Sequence, residues 1–151
     1  ALRVFVSPCI AKHQEAYEDS LVDYVISCEE LGAMLAARNI DVAECKGTQM
    51  AGGAKESGRG FPMSGGVTAA VKHYLENPEI VKPQVINGLN RQTFKILKMY
   101  STKGIAPNNF LEVMACEGGC VNGPCTMENP VQAAKRITDL AKGTSQVQPS
   151  E

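Results

Sequence analysis

The chain has 151 residues, 44% of them hydrophobic and 21% charged, with 15 Lys and Arg set against 16 Asp and Glu. That is the make-up of an ordinary globular protein with enough length for one compact core. A net charge of −1 and a pI near 6.2 leave no basic footprint for nucleic acid, and no apolar run reaches the roughly 18 residues that a membrane span needs.

The elements are read in chain order. The chain opens at Ala1 directly in an apolar stretch, with neither Met nor a basic-then-apolar leader, and so reads as a piece of a longer protein. Arg3 to Val6 reads as a strand and Ala11 to Asp19 as a weak helix. Val22 to Ile26 is a second strand. A capping box of Ser27 and Glu30 then starts a helix that carries Leu31, Met34 and Leu35. Cys45 to Gly65 is rich in Gly and reads as an irregular stretch, a surface or site-covering loop. Val67, Ala70, Val71, Tyr74 and Leu75 form a helical stripe stopped by Asn77-Pro78. Gln84 to Leu89 is a third strand, Thr93 to Tyr100 a helix, and Phe110 to Met114 a fourth strand. Val131 to Ala141 is a last helix ending at Gly143, and residues 145–151 form a frayed polar tail. The strands are dense in apolar residues rather than alternating, as in strands covered on both faces. The expected fold is therefore α/β: one lobe over residues 1–144, with a mostly parallel four-stranded sheet flanked by helices.

Six cysteines raise a choice between disulfides, metal and redox chemistry. A chain of this size does not need disulfides in place of a core. Cys9 follows the first strand, and Cys116 and Cys120 follow the last. Open α/β sheets place ligand sites beyond the carboxyl ends of their strands, so loops at that edge can converge on one centre. Gly118, Gly119 and Gly123 let the chain wrap closely around a bulky group. Soft thiolates select zinc, copper(I) or iron–sulfur centres. Spacing alone leaves a structural zinc site, completed by Cys125 and Cys9, as open as an iron–sulfur one. Cys28 and Cys45 read as inert small hydrophobes. His13 and His73 read as exposed helix residues.

The wording around the thiols carries more. Glu112-Val113-Met114-Ala115-Cys116-Glu117-Gly118-Gly119-Cys120-Val121-Asn122-Gly123 resembles the last signature motif of iron-only hydrogenases, Glu-x-Met-Ala-Cys-x-x-Gly-Cys-x-x-Gly. Pro8-Cys9-Ile10-Ala11-Lys12-His13-Gln14-Glu15 resembles that family's middle motif, Pro-Cys-x-x-Lys-x-x-Glu, and Gly65-Gly66-Val67 its Gly-Gly-Val turn into a helix. Their order matches, and the resemblance spans nearly the whole chain.

The resemblance implies an H-cluster, a 4Fe-4S cubane joined to a diiron unit carrying CO and cyanide. Cys9 and Cys116 would ligate the cubane, and Cys120 would bridge it to the diiron unit. Lys12 would hydrogen-bond a cyanide, with Met114 and Ser7 beside the same unit, Gly65 and Gly66 lining the cofactor, and Glu15 in the surrounding polar shell. The first family motif, of Thr-Ser-Cys-Cys-Pro type, is absent, so an N-terminal lobe of the same hydrogenase would supply the remaining ligand and the proton relay. The implied whole protein is a cytoplasmic enzyme of an anaerobe exchanging electrons with a ferredoxin-like partner, while this chain alone would be inactive. Ser7 stands where the family usually has Met, and Ala69 where it often has Glu. Gly123-Pro124-Cys125 stands where it runs Gly-Gly-Gly-Gln-Pro, and the stretch from Tyr74 to Gln84 is short. These departures point to a divergent branch. The competing reading is a hydrogen sensor or iron–sulfur assembly protein with a non-catalytic iron–sulfur or zinc site.

Overall fold

The computed structural model describes residues 1–19, 21–48, 54–104 and 106–144. The polar segment 145–151, read as a tail, lies outside the described residues, as do 49–53 of the Gly-rich stretch. The chain divides into two compact units, Ala1–Gly52 with Gly123–Asn129, and Gly53–Asn122 with Pro130–Glu151.

The first unit is built on two parallel strands, β1 (Val4–Ser7) and β2 (Tyr24–Ser27), in the register Ser7 opposite Ser27. Helix α1 (Ala11–Glu18) connects them, and α2 (Cys28–Ala37) follows β2 without a gap. Arg3 and Asp23 clasp the start of the pair through an ion pair, with the Arg3 N–H also donating to the Asp23 carboxylate at 2.7 Å. Both strands end on a buried serine whose hydroxyl serves the backbone that follows. Ser27 Oγ accepts from Glu30 N–H at 3.0 Å while the Glu30 carboxylate accepts from Ser27 N–H at 2.7 Å. This is the expected capping box.

The Ser27 backbone N–H and then its hydroxyl hold the Glu30 carboxyl below its ordinary pKa. A depressed carboxylate pKa contributes stability that is complete above the unfolded value and lost as pH falls through the folded one. Acid should therefore weaken the first turn of α2 in that window, while the Ser27 hydroxyl still accepts from Glu30 N–H. A carboxyl NMR titration should find Glu30 below an ordinary glutamate, and Ser27→Ala should return it upward.

The second unit holds β3 (Pro83–Asn87) and β4 (Phe110–Met114), parallel and paired from Pro83 opposite Phe110 to Asn87 opposite Met114. Around them lie α3 (Glu56–Arg59), α4 (Gly66–Tyr74), α5 (Arg91–Lys103) and α6 (Pro130–Thr144). Helix α5 begins on a second capping box, Asn90 with Thr93, and ends on Gly104 at φ 64°. Tyr100 on α5 donates to Gln84 on β3 at 2.9 Å. Ala70, Ile86, Val121 and Ala141 are buried at the centre of this unit.

The α/β class and the parallel pairing are as expected, but the strands form two two-stranded sheets rather than one of four. Strand existence is a local property, whereas the neighbour of each strand is chosen by contacts across long crossovers, here 55 residues between Ser27 and Pro83. The irregular stretch 45–65 also contains α3, a single turn of four residues too short to show periodicity.

Candidate metal centre

In the second unit, β4 delivers Met114 and then the Cys116–Cys120 loop. Two neighbours grip this loop. On one side the end of β3 takes hold: Gly88 and Leu89 N–H donate to Met114 O and Ala115 O at 3.0 and 2.9 Å, and Gly118 N–H donates to Asn87 Oδ1 at 2.6 Å. On the other side runs Pro62-Met63-Ser64. Ser64 N–H donates to Gly118 O at 3.0 Å and Val121 N–H to Pro62 O at 3.1 Å, with Met63 bridged antiparallel to Gly119.

The two glycines between the thiols are demanded by this grip. Gly118 and Gly119 take φ of 85° and 95°, a region that side chains disfavour. A Cβ on Gly119 would stand 2.5 Å from Pro62 O and 2.7 Å from Ser64 N. Only glycine fits. The expected freedom to wrap is thus present, and it is used against a neighbouring strand-like segment of the same unit.

Gly65 and Gly66, the residues placed at the cofactor by resemblance, also have reasons in the chain itself. Gly65 caps α4 at φ 87°, and a Cβ on Gly66 would lie 1.9 Å from Gly60 O. Glu112, buried at 5% exposure in the middle of β4, fixes the same turn. Its carboxylate accepts from Gly65 N–H at 2.7 Å, from Thr68 N–H at 2.8 Å and from the Thr68 hydroxyl at 2.5 Å. It thereby supplies α4 with the N-terminal acceptor that its own sequence lacks. In the sequence Glu112 stands only as a letter of the motif. The signal for its role was a lone acidic residue inside an otherwise apolar strand.

Cys9 belongs to the first unit. It follows Ser7-Pro8, and its N–H donates to Ser7 Oγ at 3.0 Å. Ser7 is 3% exposed, so the residue expected beside a diiron unit spends its hydroxyl lone pair on shaping the cysteine turn. Cys125 N–H donates to Pro8 O at 3.1 Å, tying the short segment after Gly123 to the same turn. Cys125 is buried, and burial foremost, then the carboxylates of Glu29 and Glu30, pushes its thiol pKa up. Lys12, on the first turn of α1, pairs with Glu15 and faces a groove of about 250 Å³ lined also by Phe5, Ala16 and Val25.

The other cysteines depart from expectation in one respect. Cys28 opens α2 and is half-buried, but Cys45 is exposed, its Sγ 3.3 Å from Asp41 O, because it closes the short surface turn Val42–Glu44. His13 and His73 are exposed helix residues as read.

The predicted ligands are thus divided, Cys116 and Cys120 in one loop of the second unit and Cys9 in the first. Among the described residues no three Cys, His, Asp or Glu side chains form a metal-binding group by themselves, and no helix is long and apolar enough to cross a membrane. The thiols at strand ends, with the tight glycine turn between Cys116 and Cys120, are donors suited to a soft metal centre, iron–sulfur or zinc.

A family model described as "Iron only hydrogenase large subunit, C-terminal domain" matches residues 1–124. Iron hydrogenase 1 of Clostridium pasteurianum is 31% identical in an alignment of 160 positions that takes in 80% of this chain and 27% of that protein. A solved FeFe-hydrogenase structure, HydA(deltaEFG), described for stepwise H-cluster assembly, superposes with a TM-score of 0.61 at 18% identity, over 97% of this chain and 55% of that one. The last likeness is one of fold. The chain therefore spans about a quarter of the curated relative and about half of the solved chain. Matched by the family's C-terminal domain over residues 1–124, the chain belongs to the iron-only hydrogenase large-subunit family.

Proposed function

We propose that this chain supplies part of the H-cluster pocket of a hydrogenase that interconverts H₂ with protons and electrons. The observation that carries the reading is the Cys116–Cys120 loop. Its two positive-φ glycines and its double grip by Asn87 and Pro62-Met63-Ser64 hold two thiols in a fixed turn just past a strand end. Cys116 and Cys9 would hold a 4Fe-4S cubane, and Cys120 would link it to the diiron unit. When bound, the cluster supplies electron storage and an open iron site for heterolytic H₂ cleavage.

The chain's own residues orient and shield. Lys12, already paired with Glu15, keeps further N–H donors for an anionic ligand such as cyanide. Met114 offers a soft apolar wall. Ser7 keeps its O–H proton free to donate while its lone pair accepts from Cys9 N–H. An N-terminal lobe of the same hydrogenase would bring the missing ligand. Exposed Val4, Phe5 and Val6 on β1 support this, since apolar strands of this kind are ordinarily covered. Cytoplasmic location and a ferredoxin-like electron partner complete the reading.

The test compares the matured full-length protein with the 151-residue chain treated in the same way. The full-length protein should evolve H₂ from a reduced dye, and the chain alone should evolve none and retain no diiron unit. A full-length protein that takes up zinc but no iron would overturn the reading in favour of a structural zinc site.

A further inference from the structure

The Cys116–Cys120 loop has a neighbour whose chemistry is unused. Among the described residues, Ser64 Oγ is the buried side-chain oxygen or nitrogen with no hydrogen-bond partner. Leaving a hydroxyl buried and unpaired costs about 1–3 kcal/mol, so such a group calls for a partner beyond the chain itself, a bound group or an ordered water. Its place is specific. Ser64 N–H donates to Gly118 O, between the two thiols, and the adjacent Met63 is bridged to Gly119.

We propose that Ser64 is a positioning residue for the cluster, donating its O–H to a sulfur of the centre held by Cys116 and Cys120. This rests on the functional reading above and adds a residue to it. The backbone of Ser64 anchors the cysteine loop, and the side chain on the same residue supplies the donor. Hydrogen bonds to cluster sulfur stabilise the more negative, reduced form and so raise the reduction potential. Ser64 would therefore tune the potential while leaving the iron count alone. The backbone bond to Gly118 does not depend on the side chain, so Ser64→Ala preserves the grip on the loop.

The experiment uses the matured full-length protein, with iron content, CO and cyanide infrared bands, and a redox titration followed by EPR. Ser64→Ala should keep the iron content, lower the potential of the cubane and give a several-fold smaller reduced fraction at the wild-type midpoint. Ser64→Thr, which retains the hydroxyl, should restore both. An unmoved potential and unmoved bands in iron-loaded Ser64→Ala would overturn the inference and leave the functional reading intact. Iron loss in Ser64→Ala that Ser64→Thr fails to restore would also overturn it, since the position would then serve packing. Wild-type protein that takes up no iron would overturn the functional reading and this inference together.

Discussion

Replacing Glu112 by alanine should destabilise the second unit by about 3 kcal/mol, with the loss concentrated at the start of α4. The carboxylate is buried and receives three hydrogen bonds, from Gly65 N–H, Thr68 N–H and the Thr68 hydroxyl. Truncation orphans two backbone donors, and each buried orphan costs about 1–3 kcal/mol. It also removes a negative charge from the positive end of the helix. Glu112→Gln keeps the shape but replaces one accepting oxygen with an NH₂ group. Either the Gly65 bond or the Thr68 N–H bond must then be lost, since the Thr68 hydroxyl can turn to accept from the amide, so the cost should fall between wild type and alanine.

Hydrogen exchange resolved by residue is the suitable measurement, because a chain of two units need not unfold in one step. The amides of Gly65 and Thr68 should exchange faster in Glu112→Ala, while those of α2 in the first unit should be unchanged. Equal acceleration of α2 amides would show that Glu112 serves the whole chain and not this turn. Unchanged protection at Gly65 and Thr68 would remove it as the cap of α4.

What the sequence disclosed was what is local. The Ser27–Glu30 box lies within four residues and could be read directly, as could the existence of all four strands. Helix α5 was read from its apolar stripe at Thr93, while its true cap, Asn90, lies just upstream. Tertiary reasons were hidden. Gly66 is required because Gly60 O lies where its Cβ would be, and no periodicity records that approach. Glu112 meets partners 44 and 47 positions away. The pairing of strands into two sheets depends on contacts of the same kind. The motif letters thus pointed to the thiol loop, and the physical reasons for the letters around it, Gly118, Gly119 and Glu112, emerged only from the packing of Pro62-Met63-Ser64 and α4.

Cys120 and Cys125 stand five residues apart, and their substitutions should have opposite outcomes. Cys120 lies at the end of the gripped loop, opening the short turn Cys120–Asn122 of the second unit. Cys125 belongs to the first unit, 8% exposed, with its N–H committed to Pro8 O. Burial favours its neutral thiol, and the nearby Glu29 and Glu30 carboxylates favour it further. Its burial and its committed backbone suit Cys125 to packing as a small apolar group. In the matured full-length protein, Cys120→Ala should lose the diiron unit, its CO and cyanide infrared bands and all H₂ turnover. Cys125→Ala should retain iron, bands and turnover, and show only a lower melting temperature from the vacated volume. Counting iron in both variants separates the roles, because a packing defect at Cys125 lowers stability without lowering the iron bound per folded molecule. Loss of the diiron unit in Cys125→Ala with Cys120→Ala intact would transfer the bridging role to the first unit and remove the Cys116–Cys120 loop from the centre of the reading.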